Sequence, residues 1–496
     1  MGSYIAVFDV GKTNKKVLIF DENLVLVDMI TGSIPEYSEK GINFEQVDEI
    51  REWFLAALAD FAKKYQIRVV SITTHGATCV CLGKNGELAV PPVAYTTEPG
   101  VDFDREFFDN FGGVEKLQRT TATPPMGSLV SLAKIIYFVQ RKYPKEFEKV
   151  DKILGFPQYF GFVLTGNMGA EPTYIGCHTF LWDHGKQNWS YVAEELGIVD
   201  KLPKGLSKSW EILGTVTPAV AEKTGLAADT IVTMGVHDSN ASLLPHIVKT
   251  REQFVLNSTG TWCAVMRPAE EVEFKDDEIG KLVFFNLDVF FNPVKTSLLM
   301  GGLEFEKWSE LLKQLNDEKG YPPFVPGIYR KVIWEKNRFI LPGIQRGTGQ
   351  FPDSEPRAVE EGREYHLQEI EAGKAPRFFA DYASAFATLN LSLAIQSKTA
   401  LERAGTKDGM SIFIEGGFRK NLDYNTLLTG MFPKSRVYLT NLDEATAFGA
   451  AMLGKAALDG TDPYAIADLY EIEKTEVKPE AFDGLDAYTA AFHRHL

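Results

Sequence analysis

Two segments about 245 residues apart share one local plan, and that repetition constrains the fold more than any other feature. The first, YIAVFDVGKTNKKVLIF from Tyr4, runs from an apolar stretch through a glycine-containing turn into a second apolar stretch. The second, EQFVLNSTGTWCAVM from Glu252, again runs strand, small-residue turn, strand. Each is the pattern of a β-hairpin. Their recurrence predicts a duplicated fold with a cleft between its halves. The chain has 496 residues, enough for two hydrophobic cores.

Around these hairpins the periodicity alternates between strand and helix. A DEN turn and LVLVDMI extend the first hairpin into a three-stranded antiparallel meander. Residues 45–64 then place Val47, Ile50, Phe54, Leu55, Leu58 and Phe61 at helical spacing, and VVSITTHGA returns to strand character. That order predicts a mixed sheet flanked by helices. Residues 105–205, rich in aromatic and helix-forming residues, form an insertion that elaborates the first half. IVTMGVHDSN from Ile231 resumes the β pattern. A long helix over 381–405 leads into the strand SIFIEGG, and a final helix covers 443–458.

Composition excludes several function classes. The chain is 45% hydrophobic and 24% charged, an ordinary globular balance, and its net charge is −15 with no long basic block. Binding to nucleic acid or to an anionic membrane is therefore not expected. Asp9 and Lys12 fall where the apolar core of a signal peptide would lie, so a cytoplasmic location is expected. Cys79, Cys81, Cys177 and Cys263 form no C-x-x-C pair and read as reduced, buried thiols. The eight histidines include no metal-binding motif.

Four motifs carry candidate chemistry. In FDVGKTNKK, Asp9 ends a strand, Gly11 lets the chain turn tightly, and Thr13 and Asn14 are short donors; exposed N–H groups at such a turn make an anion-binding concavity. Lys15 or Lys16 can add charge, and a carboxylate at the strand end can hold Mg²⁺ through water. A plain hairpin accounts for the same residues. LNSTGTW repeats the logic with Ser258, Thr259, Gly260 and Thr261. Two opposed hairpins gripping one polyphosphate make a nucleotide site without a Walker motif; the near-miss from Gly449 to Lys455 ends in Ala456 and reads as helix packing. IEGGFRKN (414–421) carries paired glycines that suit either a flat nucleoside or a connecting turn. In MGVHDSNAS (234–242), Asp238 either takes a proton from an attacking hydroxyl or caps a helix.

In this order and spacing the motifs resemble the FGGY family of sugar kinases, within the actin-like ATPase superfamily. The resemblance runs from Asp9 to about Lys455 and includes LDEATAFGAAMLG as a connecting helix. It implies an α/β fold of two ribonuclease-H-like domains, each a mixed five-stranded sheet flanked by helices, with an interdomain cleft. Residues 1–248 would bind sugar and residues 249–496 ATP. Asp238 would be the general base and Asp9 would organise Mg²⁺. Gly11, Lys12, Thr13, Asn14 and Lys15 would form the first phosphate turn, and Ser258, Thr259, Gly260 and Thr261 the second. Gly302 would join the nucleotide set, Gly416 and Gly417 would flank the adenine nucleoside, and Asn421 would lie nearby. His75, Gly76, Ala77, His237, Asp238 and Ser239 would contact sugar.

Substrate signals diverge. His-Gly-Ala-Thr at 75–78 resembles xylulose kinases, whereas Ser-Thr-Gly-Thr-Trp262, His237-Asp238 and Thr13-Asn14 resemble kinases of L-fuculose and L-rhamnulose. The chain departs from the family in VAYTTEPGVDFD (93–104), which lacks the usual arginine and offers Glu98 instead, and at Lys12, where a small residue is usual. The expected activity is ATP- and Mg²⁺-dependent phosphorylation of a deoxyketose, with a pentulose or polyol kinase and a non-kinase actin-like ATPase as alternatives. The resemblance leaves a homodimer open as a partner arrangement.

Overall fold

The computed structural model describes residues 2–442 and 444–496. Strands β1 (Tyr4–Val10), β2 (Asn14–Phe20) and β3 (Leu26–Ser33) form the predicted meander. Helix α1 (Val47–Ala62) buries the apolar stripe that announces it in the sequence, and β4 (Ile67–Thr74) returns parallel to β1. The 105–205 stretch contributes α2 (Leu132–Lys142) and α3 (Phe156–Thr165), which pack into the first hydrophobic core. Then come β5 (Ile212–Thr215), β6 (Ile231–Thr233), β7 (Val236–His237) and α4 (Asp238–Lys249). Gly235, at φ +80°, separates β6 from β7, a conformation that favours glycine.

The second half repeats the plan with β8 (Phe254–Thr259), β9 (Cys263–Pro268), β10 (Val283–Leu287) and β11 (Pro293–Leu299). Helices α5 (Gly301–Asn316) and α6 (Tyr382–Arg403) precede β12 (Ser411–Gly416), α7 (Leu422–Met431), β13 (Arg436–Asn441), α8 (Ala445–Asp459) and β14 (Glu473–Glu476). The first position predicted for α8, Asp443, lies outside the described residues.

The sheets run β5-β6-β4-β1-β2-β3, with β7 beside β4, and β10-β11-β9-β8-β12-β13-β14. Within them β3-β2-β1-β4-β6 and β11-β9-β8-β12-β13 match in order and sense, with antiparallel pairs on one side of the central strand and parallel pairs on the other. This is the two-domain α/β architecture expected, but each sheet has seven strands rather than five. The extra strands are the edge β5 and the short β7 in the first sheet, and the edges β10 and β14 in the second.

One segment of the 249–496 block returns to the first sheet. Ala447, Ala451 and Met452 of α8 pack with Ile5, Val7 and Val69 of that sheet and with Ala241 and Leu244 of α4. A side chain at Gly449 would run into the Ala241 backbone, and one at Gly454 would meet Ser71. The Walker-like glycines are thus close-packing positions, and Lys455 pairs with Asp459 on the same helix. All four cysteines are free and buried. Among the described residues no helix is long and apolar enough to cross a membrane.

Candidate active site

The two hairpins expose their tips. Thr13 and Asn14 are exposed at the first, Gly260 and Thr261 at the second. Thr259 is buried: its hydroxyl donates to the Glu415 carbonyl and accepts from the Phe418 N–H at 3.0 Å, tying the second hairpin to the end of β12. Gly416, at φ +79°, lies against the Thr259 backbone with no room for a Cβ. Gly302, in the first turn of α5, is equally confined, since a Cβ would come within 2.7 Å of the Gly260 carbonyl carbon and 2.9 Å of Thr261 Cα. No side chain caps α5, and its first turn lies against the hairpin that carries Gly260 and Thr261, an arrangement suited to phosphate. Gly302→Ala is expected to raise the KM for ATP by at least about tenfold with the fold retained, because sub-ångström displacement of a positioning loop is felt this strongly. Steady-state kinetics with circular dichroism as the folding control checks this; an unchanged KM would remove the hairpin from phosphate binding.

The basic residues of the first turn are divided differently from expectation. Lys12 binds Glu45 at 2.7 Å and also Glu36, with its ammonium 4.4 Å over the Tyr95 ring, so it is committed away from a phosphate. Lys15 is fully buried and donates to the Lys12 carbonyl at 3.0 Å. Although burial by itself pushes the Glu45 carboxyl up, His75, Lys12 and Lys15 together hold it below its ordinary value. Lys16, opposite Asp9 in the β1–β2 register, faces the cleft instead and pairs with Glu444 at 2.6 Å. Asn421 is likewise occupied: its carbonyl caps α7 by accepting from Tyr424 N–H at 3.0 Å, and its amide donates to Asn390 at 2.8 Å. Gly417 begins the short turn between β12 and that cap.

Asp9, at the end of β1, has a carboxyl raised from 3.8 to about 7, first by burial and then by the negative charge of Asp238, with Glu444 adding and Lys16 opposing. The Asp9 carboxyl is thus within electrostatic reach of two further carboxylates and one ammonium. That excess of hard oxygen donors fits a divalent cation of the Mg²⁺ type.

Asp238 opens α4, where a negative charge is favoured by the helix dipole. Its Oδ1 accepts from the Ser239 N–H at 2.6 Å and hydroxyl at 3.2 Å, and lies 3.4 Å from His237 Nε2. Burial raises its pKa, with His75 the main opposing influence. The backbone ahead of it is fixed by a buried relay. Glu171 accepts from Thr173 N–H at 3.1 Å, Tyr174 N–H at 2.6 Å and Ser209 at 2.5 Å, and Thr173 Oγ1 accepts from His237 N–H at 2.9 Å. Burial raises the Glu171 carboxyl to about 7.

Beside Asp238 lies a cavity of about 250 Å³ at the meeting of the two domains. Gly76, Ala77, His237 and Ser239 line it. A Cβ on Gly76 would come within 2.7 Å of both the His178 and the His237 rings, so only glycine fits between them. Burial, followed by neighbouring imidazoles, lowers both of these histidines to about 3, and burial also lowers His75. His178 and His237 are neutral hydrogen-bonding groups at pH 7. His75 sits behind the lining, 3.7 Å from Glu45. Glu98 is exposed and outside the cavity, and Tyr95 takes the place expected for it.

A match to the FGGY family of carbohydrate kinases, N-terminal domain, covers residues 4–245, and one to the carbohydrate kinase FGGY, C-terminal domain, covers residues 251–462. The chain belongs to the FGGY family of carbohydrate kinases. It is 24% identical over 283 residues to a probable L-xylulose kinase of Pasteurella multocida, covering 55% of this chain and 57% of that one. It is 26% identical over 197 residues to a rhamnulokinase of Bacteroides thetaiotaomicron, covering 40% of each. The chain thus spans about half the length of the curated relatives it matches. The crystal structure of a carbohydrate kinase from Novosphingobium aromaticivorans superposes with a TM-score of 0.77 at 24% identity, over 99% of this chain and 98% of that one.

In this FGGY chain the motifs locate the two hairpins and Asp238 but miss much of the cavity. His178 comes from the insertion, and Asn286 and Phe284 come from β10 of the second domain. The cavity is therefore shared between domains rather than belonging mainly to the first. No motif marks these positions; alternation along β10 would have marked Phe284 and Asn286 as sharing a face, but not which face meets the cleft.

Proposed function

We propose that this protein transfers the γ-phosphoryl group of ATP to a terminal hydroxyl of a ketose, and that the substrate is a deoxyketose such as L-fuculose or L-rhamnulose. The observation that carries this is the place of Asp238: a carboxylate of raised pKa between His237 and Ser239, both of which line the cavity, and coupled electrostatically to Asp9 beside the first hairpin. Asp238 takes the proton of the hydroxyl as its oxygen attacks the γ-phosphorus and ADP departs. Asp9, with Glu444 nearby, would hold Mg²⁺, which when bound offsets charge on the phosphate oxygens. The exposed turn at Gly260 and Thr261, held by the Gly260 N–H donating to the Trp262 carbonyl at 3.1 Å, and the start of α5 would orient the phosphates.

The deoxyketose assignment draws support from the cavity's composition, since Met126, Val130, Met266, Phe284 and Leu298 present apolar surface that suits a carbon without a hydroxyl. Of the two curated relatives described above, one is named rhamnulokinase and the other probable L-xylulose kinase, so both substrate classes belong in the test. Coupled detection of ADP across L-fuculose, L-rhamnulose, D- and L-xylulose, D- and L-ribulose, erythritol and glycerol tests the reading, with the highest kcat/KM expected for a deoxyketose. A pentulose preference would overturn the substrate, and silence on every sugar and polyol would overturn the kinase. Sugar-independent ATP hydrolysis at comparable rate would indicate a plain ATPase.

A further inference from the structure

We propose that Asn286, on the second domain, reads a hydroxyl of the bound sugar together with His178 of the first, so that sugar selectivity is set across the domain boundary. The proposal rests on the kinase reading above. Strand alternation supplies the surface: Phe284 and Asn286 on β10, Thr296 and Leu298 on β11, and Ala264 and Met266 on β9 share one sheet face, and all six line the cavity. Most of that face is apolar. Asn286 is its conspicuous exception, a primary amide only 1% exposed.

One end of that amide is satisfied. Its nitrogen donates to Thr296 Oγ1 at 3.3 Å and lies 3.9 Å from Cys177 Sγ, whereas Oδ1 has no partner and no access to bulk water. Whichever way round the amide is placed, one end is held by Thr296 and the other is free. Buried polar atoms in folded proteins are almost always paired, and an orphan at a cavity wall calls for a ligand that pairs it. On the facing wall His178 Nδ1 is also buried without a partner. His178 is held at φ +39°, an uncommon left-handed conformation for a residue with a side chain, and such conformations cluster at functional positions.

The two walls are fixed relative to each other. Gln118, in the insertion, donates to the Val283 carbonyl at 2.8 Å and accepts from Gly280 N–H at 2.8 Å, and Phe285 N–H donates to the Ala122 carbonyl at 3.2 Å. Asn286 is therefore presented to the cavity by a strand clamped to the first domain, which is the preorganisation a specificity contact needs. The ligand chemistry follows: a polyhydroxylated chain with one hydroxyl donating to the Asn286 carbonyl oxygen, and a carbon lacking a hydroxyl lying against Phe284 and Leu298.

The test compares wild-type enzyme with Asn286→Leu on the best sugar of the panel and on analogues of it, each lacking one hydroxyl. Wild type is expected to reject one analogue by about 10²-fold or more in kcat/KM, because a site built to bond a hydroxyl leaves its own group unpaired when that hydroxyl is missing. In Asn286→Leu that ratio is expected to fall below about fivefold and the sugar KM to rise at least about tenfold, with the KM for ATP within about twofold. His178→Gln is expected to raise the sugar KM as well. If the leucine variant does not fold, as judged by its thermal transition, the analogue ratio in Asn286→Ser decides. Analogue ratios that stay at the wild-type value in the folded variant overturn the proposal. Failure of the wild type to turn over any sugar overturns the kinase reading instead.

Discussion

Asp238→Asn lowers kcat by at least about 10²-fold while leaving the KM for ATP within about twofold, the pattern expected when a general base is lost and the nucleotide contacts are intact. Asparagine keeps the shape of the side chain and an oxygen that accepts from Ser239, but it cannot take the proton of an attacking hydroxyl. Its oxygen is also well suited to a helix start, so if Asp238 served only to begin α4 the variant would retain its activity. Retained kcat would therefore remove Asp238 from the chemistry. The acid limb of the wild-type pH–rate profile supplies a second check. Burial lifts the Asp238 carboxyl above its ordinary value, so activity should fall as pH drops through that raised pKa, and the limb should disappear from the residual activity of the asparagine variant.

Mg²⁺ affinity is expected to weaken about fivefold between pH 7 and pH 6, because a carboxyl titrating at about 7 is half ionised at the first pH and about one-tenth ionised at the second. The carboxyl concerned is Asp9. Its folded pKa is raised, so ionisation opposes the metal-free fold progressively from 3.8 upward and in full above about 7. Bound Mg²⁺ removes that opposition by preferring the ionised form, and the thermal stabilisation given by Mg²⁺ alone should be larger at pH 8 than at pH 6. Asp9→Asn should abolish the pH dependence. Asp238→Asn should move it to lower pH, since the Asp238 charge is the second cause of the Asp9 shift. Mg²⁺ stabilisation that is the same at both pH values would exclude Asp9 as the ligand.

These two carboxylates were legible in the sequence because each sits at the end of a strand pattern, ahead of a turn or at a helix start, a signal carried by neighbours within a few residues. The hairpin glycines were legible for the same reason: turns demand particular backbone conformations and declare them locally. The α1 stripe and the strand–helix alternation likewise predicted both sheets, though not their edge strands, whose pairing depends on distant partners.

Side-chain direction was not legible in this way. Lys15 and Lys16 are adjacent, and strand alternation sends one into the first core toward Glu45 and the other into the cleft toward Glu444; a sequence shows the alternation but not which side is the cleft. Lys12 and Asn421 sit in turns that suit phosphate and nucleoside, yet acids near positions 36 and 45 claim the first and a helix cap and Asn390 claim the second. Asn286 and His178 stand 108 residues apart and meet at one cavity only because β10 docks on the insertion. The sequence by itself determined the duplicated hairpins, the family and the positions of Asp9 and Asp238 at the strand ends, since these are written in short-range backbone requirements. The tertiary structure alone decided which charges are already paired and which groups line the cavity, because burial and pairing are settled between residues far apart in the chain.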